Sequence, residues 1–213
     1  MSEKLRRRIL SILLGCSVLL NAWLMFSASI YQIGGNVLDY FQGPPKLLST
    51  DYSKTSSPRA VPVVAYMDFR CPYCAKMDPV LEEAADSGLI SLTYRFFPLD
   101  FHEHSEDISV HVHCAGQQGA FWPYVHALYQ PFSNDAGPSE EELRRLDSRL
   151  GLNRLKMESC LSDPNSLQRV RNDKATGQLR DVVGTPTIFV GYQRIGGYVS
   201  KEQFRSILEN YVK

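Results

Sequence analysis

An α/β domain interrupted by a block of helices and preceded by a membrane-spanning helix is the fold class the sequence predicts. Three observations predict it. A basic N-terminal flank runs into a long apolar stretch, and a strand, a helix and a second strand follow one another between Val61 and Phe97. A largely helical segment then separates these from a short hairpin and a last helix.

The chain has 213 residues, enough for one globular domain of about 150 residues once an N-terminal segment is set aside. Lys and Arg together number 23, as do Asp and Glu. With no net field, nothing points to nucleic acid or to an acidic substrate, and no nucleic-acid partner is expected.

Lys4, Arg6, Arg7 and Arg8 form the basic flank, residues 1–8, which the positive-inside rule leaves in the cytoplasm. The apolar run from Ile9 to Phe26 has only Ser11, Ser17 and Asn21 as clearly polar members. Residues 9–30 therefore read as a single-pass anchor, with everything after about Tyr31 facing outward. A cleaved signal peptide is the rival reading, weakened by the length of the run and by only a weak small-residue site at Ser27-Ala28-Ser29. Leu13-Leu14-Gly15-Cys16 resembles a lipoprotein processing box, but the apolar run continues past Cys16.

Residues 31–60 read as a linker, with Gly34-Gly35, Gly43-Pro44-Pro45 and a polar stretch from Ser49 to Pro58. The domain is expected to start near Val61. Val61 to Phe69 is short and rich in Val and aromatic residues, which suits a buried strand. Pro72 suits the first turn of a helix running to about Asp86 and stopping at Gly88. Leu89 to Phe97 reads as the second strand, completing a first portion at residues 61–101.

Residues 102–165 form the helical block. Val110, Cys114, Gln117 and Phe121 share one face, Pro123 opens a new stretch, and Ser139 with Glu142 has the spacing of a capping box, with Gly151 as the stop. Residues 166–213 complete the domain. Ser166 to Val182 reads as a helix, Thr187 to Val190 and Gln193 to Ile195 as a hairpin turning at Gly191-Tyr192, and Ser200 with Gln203 caps a last helix.

Chemistry concentrates at Cys71-Pro72-Tyr73-Cys74, a cysteine pair at a strand-to-helix junction. At a helix start, free N–H groups and the macrodipole stabilise a thiolate on Cys71, and Cys74 lies one turn on, close enough to bond to it. A stabilised thiolate is both a nucleophile and a good leaving group, so the pair suits thiol–disulfide exchange: Cys71 attacks or is attacked, and Cys74 resolves. Arg70 adds a neighbouring positive charge. Two bland readings remain, half of a zinc site completed by His111, His113 and Cys114, or a short inert disulfide; neither uses the strand-then-helix context, and no metal is expected.

Val183-Gly184-Thr185-Pro186-Thr187 precedes the hairpin. With the cysteine motif, this resembles the thioredoxin superfamily, and specifically DsbA-like oxidoreductases, which carry a helical domain inserted in a thioredoxin fold. Asp68-Phe69, Phe97-Pro98-Leu99, Phe121-Trp122 and Gly196-Gly197 also look like members of that family, over about Pro62 to Tyr211. The resemblance implies that Pro186 is a cis proline beside the cysteines and that Thr185 and Pro186 position the substrate chain. Pro72, Tyr73, Arg70 and Asp68 are expected as active-site support. One position departs from the family: the buried acid six residues before the first cysteine is Ala65 here. Asp68, Lys76 or water is left to move the proton of Cys74.

Cys114 and Cys160 lie on apolar helix faces of the insert. Two free buried thiols are the bland reading; outside the cytoplasm a structural disulfide is the better one, contributing roughly 3–4 kcal/mol by loop entropy. The function expected is disulfide exchange with cysteine-containing envelope or secreted proteins, as a net oxidant with no cofactor beyond the Cys71–Cys74 disulfide. The resemblance implies reoxidation by a DsbB-like or equivalent membrane partner and a place at the bacterial inner membrane with the catalytic domain periplasmic, or soluble periplasmic if the signal is cleaved. An isomerase or reductase, and a non-catalytic chaperone-like binding module, are the alternatives.

Overall fold

The computed structural model describes residues 15–25, 42–129 and 138–211. The basic flank, the remainder of the expected anchor and residues 31–41 of the expected linker lie outside the described residues. Residues 15–25 are helical and exposed. Among the described residues, no helix is long and apolar enough to cross a membrane.

Five strands form one mixed sheet in the order β1-β3-β2-β4-β5: β1 Tyr52–Lys54, β2 Val61–Met67, β3 Ile90–Phe96, β4 Thr187–Val190 and β5 Gln193–Gly196. The central strands β2 and β3 run parallel, joined by helix α1 (Pro72–Asp86), while β1, β4 and β5 each run antiparallel to their neighbours. Period-two alternation on β2 sends Val63, Ala65 and Met67 to one face and Val64 and Tyr66 to the other. The first face packs against Met77, Leu81 and Ala85 of α1 and against Phe204 and Leu208 of the last helix, α7 (Lys201–Glu209). Burying each such side chain contributes about 1.5–3 kcal/mol.

The helical block comprises α2 (Ser105–Gln117), α3 (Phe121–Leu128), α4 (Glu140–Arg149), α5 (Arg154–Leu161) and α6 (Pro164–Gln178). Both expected capping boxes form, Ser139 with Glu142 at α4 and Ser200 with Gln203 at α7. Helix α6 begins two residues earlier than the expected Ser166, because the Asp163 side chain accepts from the Asn165 N–H and Pro164 occupies the first turn. It ends at Gln178 rather than Val182, where the Arg180 and Val182 N–H groups turn back onto the Gly177 carbonyl. Gly177 is required: a Cβ there would stand 2.7 Å from the Phe97 ring, which packs with Tyr66 on the second sheet face.

The expected linker is corrected by β1. Residues 52–54 pair with Tyr94, Thr93 and Leu92, so the domain begins before Val61. Tyr52 stacks on Phe121 with centroids 4.0 Å apart and planes 7° apart, and its hydroxyl hydrogen-bonds His113 Nδ1 at 2.8 Å. Upstream, the buried Arg95 donates to the Lys46 carbonyl at 2.6 Å and to the Asp51 carboxylate at 2.8 Å. A three-residue strand in a polar stretch carries little pattern of its own; its partners supply the stability.

A thiol pair at a helix start

Cys71 is the N-cap of α1, with extended backbone, and Pro72 follows in the first turn. No acidic residue occupies that turn, so the positive end of the helix is left uncancelled. Cys71 and Cys74 are both free thiols and both buried. The Cys71 Sγ–H donates to the Thr185 carbonyl at 3.3 Å, across a chain whose Thr185-Pro186 peptide is cis. The Cys74 Sγ accepts the Asp68 N–H at 3.5 Å.

The two thiols ionise in opposite directions. Hydrogen bonding from the Cys74 thiol, helped by Thr185 and by the N–H groups of Cys74 and Tyr73, outweighs burial and brings Cys71 down to about 5. Burial, together with the neighbouring Cys71, pushes Cys74 well above its ordinary value. Thr185 Oγ1 is buried and, among the described residues, has no hydrogen-bond partner beside the neutral thiol, which leaves it available to a thiolate.

Asp68 organises the junction. Its buried carboxylate accepts from the N–H groups of Arg70 and Leu99 at 2.8 Å each, from the Ser105 hydroxyl at 2.6 Å, and pairs with His102 Nδ1 at 2.8 Å. The Arg70 guanidinium donates to the Glu103 carbonyl at 2.8 Å, so both residues tie the cysteine loop to the loop after β3. Tyr73 is 57 % exposed and Val183 92 % exposed, an open apolar rim beside the site.

The Thioredoxin family profile matches residues 56–210. The chain belongs to the thioredoxin family. Among solved structures, the thiol-disulfide exchange protein alpha-DsbA2 from Wolbachia pipientis superposes with a TM-score of 0.69 at 16% identity, over 76% of this chain and 88% of that one. The thioredoxin fold here is thus the DsbA-like form, with helices inserted between β3 and β4. Among curated proteins, Na(+)/H(+) antiporter NhaA 3 of Salinispora tropica is 32% identical over 151 residues, 69% of this chain and 23% of the antiporter. The chain thus spans about a quarter of the length of that relative. The Bacillus anthracis protein named "Probable disulfide bond formation protein D" is 28% identical over 157 residues, 67% of this chain and 70% of that protein.

Of the sequence-derived candidates for the Cys74 proton, Asp68 contacts Cys74 through its backbone N–H, while its carboxylate serves the loops. Lys76 lies over the Tyr73 ring, 5.7 Å from its centroid. Ala65 is fully buried on β2 beside Tyr94 of β3. A buried acid that sequence reasoning passed over is Asp78, four positions after Cys74 on α1 and only 2 % exposed. Its carboxylate accepts the Tyr94 hydroxyl at 2.7 Å. Helical spacing from Cys74 was the available signal.

Away from the site, Cys114 of α2 and Cys160 of α5 are joined by a disulfide that closes 46 residues of sequence. That bond removes Cys114 from any zinc set. His113 is held by Tyr52 and Gln117, and burial brings it down to about 4, so its ring is neutral.

Proposed function

We propose that this chain is a thiol–disulfide oxidoreductase that exchanges disulfides with cysteine-containing envelope or secreted proteins and runs as a net oxidant. The observation that carries the reading is the placement of Cys71 at the N-cap of α1, 3.3 Å from the Thr185 carbonyl, where hydrogen bonding holds its thiol low while burial holds that of Cys74 high. A thiolate at Cys71 stabilises the reduced pair and makes Cys71 the better leaving group, both of which favour electron flow from substrate to protein. The relative named for disulfide bond formation supports the same direction.

In the oxidising turn a substrate thiolate attacks Cys71 Sγ of the Cys71–Cys74 disulfide. The Cys74 sulfur leaves with the electron pair and takes up a proton, giving a mixed disulfide between Cys71 and the substrate. A second substrate thiolate attacks the substrate sulfur of that bond and expels Cys71 as thiolate. Two electrons have then passed to the protein, and no cofactor beyond the cysteine pair is required. Thr185 and Pro186, whose backbone borders Cys71, hold the substrate chain, with Tyr73 beside them; Pro72 pre-sets the helix start, and Arg70 and Asp68 fix the loop.

Residues 9–30 anchor the chain with the catalytic domain outside the cytoplasm, where a DsbB-like or equivalent membrane partner reoxidises it. A reporter fused after Tyr31 is expected to be active outside the cytoplasm; activity only inside would overturn the placement.

The reading is tested by trapping. Cys74→Ala should accumulate mixed disulfides with other proteins in cells, and Cys71→Ala should accumulate none. A Cys71→Ala chain that kept full cellular activity would make the domain a binding module instead.

A further inference from the structure

Cys74 is fully buried, yet each turnover must bring a proton to this sulfur and take it away. Helix α1 supplies a path. Cys74, Asp78 and Glu82 stand four residues apart on one face, with about 5–6 Å between successive Cβ atoms. Exposure rises along the row: the Asp78 residue is 2 % exposed, while the Glu82 side chain is 19 % exposed. Beyond it His126 of α3 is 66 % exposed, and a carboxylate oxygen of Asp78, one of Glu82 and a ring nitrogen of His126 all lie within 4.8 Å of one another. Tyr94, the strand neighbour of Ala65, reaches across to hold Asp78 at 2.7 Å.

We propose that Asp78 is the proton donor and acceptor of Cys74, exchanging its proton with solvent through Glu82, while Tyr94 positions its carboxyl. The inference rests on the exchange reading above. When the Cys71–Cys74 bond is cleaved, the Asp78 carboxylic acid gives its proton to the departing Cys74 thiolate and becomes a carboxylate. When Cys74 attacks a mixed disulfide at Cys71, the proton passes from the thiol to the Asp78 carboxylate, the new Cys71–Cys74 bond forms, and the partner leaves as thiolate. Transfer over one helical turn is within reach of a single bridging water.

Four charged or titratable groups act on Asp78. Tyr94 of β3 donates to the Asp78 carboxylate, Glu82 of α1 repels it, and His126 of α3 and Lys54 of β1 attract it. Lys54 also pairs with Glu82 at 3.6 Å and Asp86 at 2.7 Å. The buried Tyr129 donates to the Asp68 carbonyl at 3.4 Å. Burial dominates and raises Asp78 to about 6, close to the pH at which an acid both gives and takes a proton readily.

The test uses the full chain carrying a preformed mixed disulfide between Cys71 and glutathione, with glutathione release measured from about pH 4.5 to 8. Release reads the Cys74 attack alone. The wild type should show a rate rising through an inflection near 6. Asp78→Asn should slow release at least about tenfold and remove the inflection, and Asp78→Glu should restore it. Glu82→Gln, on a side chain partly open to solvent, should move the inflection to lower pH, because it removes a charge that raises Asp78; it carries the test if Asp78→Asn does not fold. An Asp78→Asn chain with wild-type rate and inflection overturns the proposal, as does a Glu82→Gln chain with an unmoved inflection. A wild type that releases no glutathione at any pH fails the exchange reading instead.

Discussion

The Asp68 carboxylate accepts the Ser105 hydroxyl at 2.6 Å, tying the first turn of the inserted helices to the residue three places before Cys71. Removing it leaves three further groups without their acceptor: the N–H groups of Arg70 and Leu99, and His102 Nδ1. Asp68→Ala is expected to cost about 3–5 kcal/mol in urea unfolding and to slow exchange, because the Cys74 sulfur takes its hydrogen bond from the same residue's backbone. A loss under about 1 kcal/mol would show that the loops are held by other means.

The Cys71 thiolate makes the stability of the reduced protein depend on pH. Its folded value, about 5, lies below the ordinary value of about 8.5 for an unfolded chain. A depressed value contributes stability that is present above the unfolded value and lost as pH falls towards the folded one. Between about pH 5 and 8 the reduced protein should therefore gain stability relative to the oxidised protein as pH rises. Cys74, raised by burial, stays protonated over that window. Paired urea titrations of both redox forms check this, and a difference independent of pH would contradict the assigned thiolate.

The Cys114–Cys160 bond lies in the insert, apart from Cys71. A Cys114→Ser, Cys160→Ser chain is expected to lose about 2–5 kcal/mol of stability while keeping its rate of disulfide exchange. A large fall in exchange at unchanged stability would instead make the bond a second redox pair.

Gly116 sits in α2 where the Tyr52 ring crosses it, and a Cβ there would run into that ring. Replacing a helical glycine by alanine ordinarily stabilises by about 0.5–1 kcal/mol. Here Gly116→Ala is expected to destabilise by about 1–3 kcal/mol through the clash. In a Tyr52→Ala background the same change should turn favourable. Additive behaviour in this double-mutant cycle would mean that β1 does not dock on α2.

What the sequence made legible was periodic or chemical: the strand, helix and strand around the cysteines, both capping boxes, and the proline before β4. Tyr52 was illegible because β1 is short and lies in a polar, proline-containing stretch, held by Phe121, His113 and the edge of β3 rather than by its own propensity. Asp78 was passed over because an acid on a helix reads as solvated; its burial depends on Tyr94, 16 residues away on β3. The start of α6 was missed for a different reason: Asp163-Pro164 is a local start signal, and the expected boundary was drawn past it. Local chemistry was readable, whereas tertiary burial was not.

The reduction potential of the Cys71–Cys74 pair, measured by equilibration with glutathione buffers, tests the oxidant reading most directly. A pair with Cys71 held at about 5 should lie well above thioredoxin, between about −200 mV and the about −120 mV of DsbA. A value near about −270 mV would contradict it and make the chain a reductase.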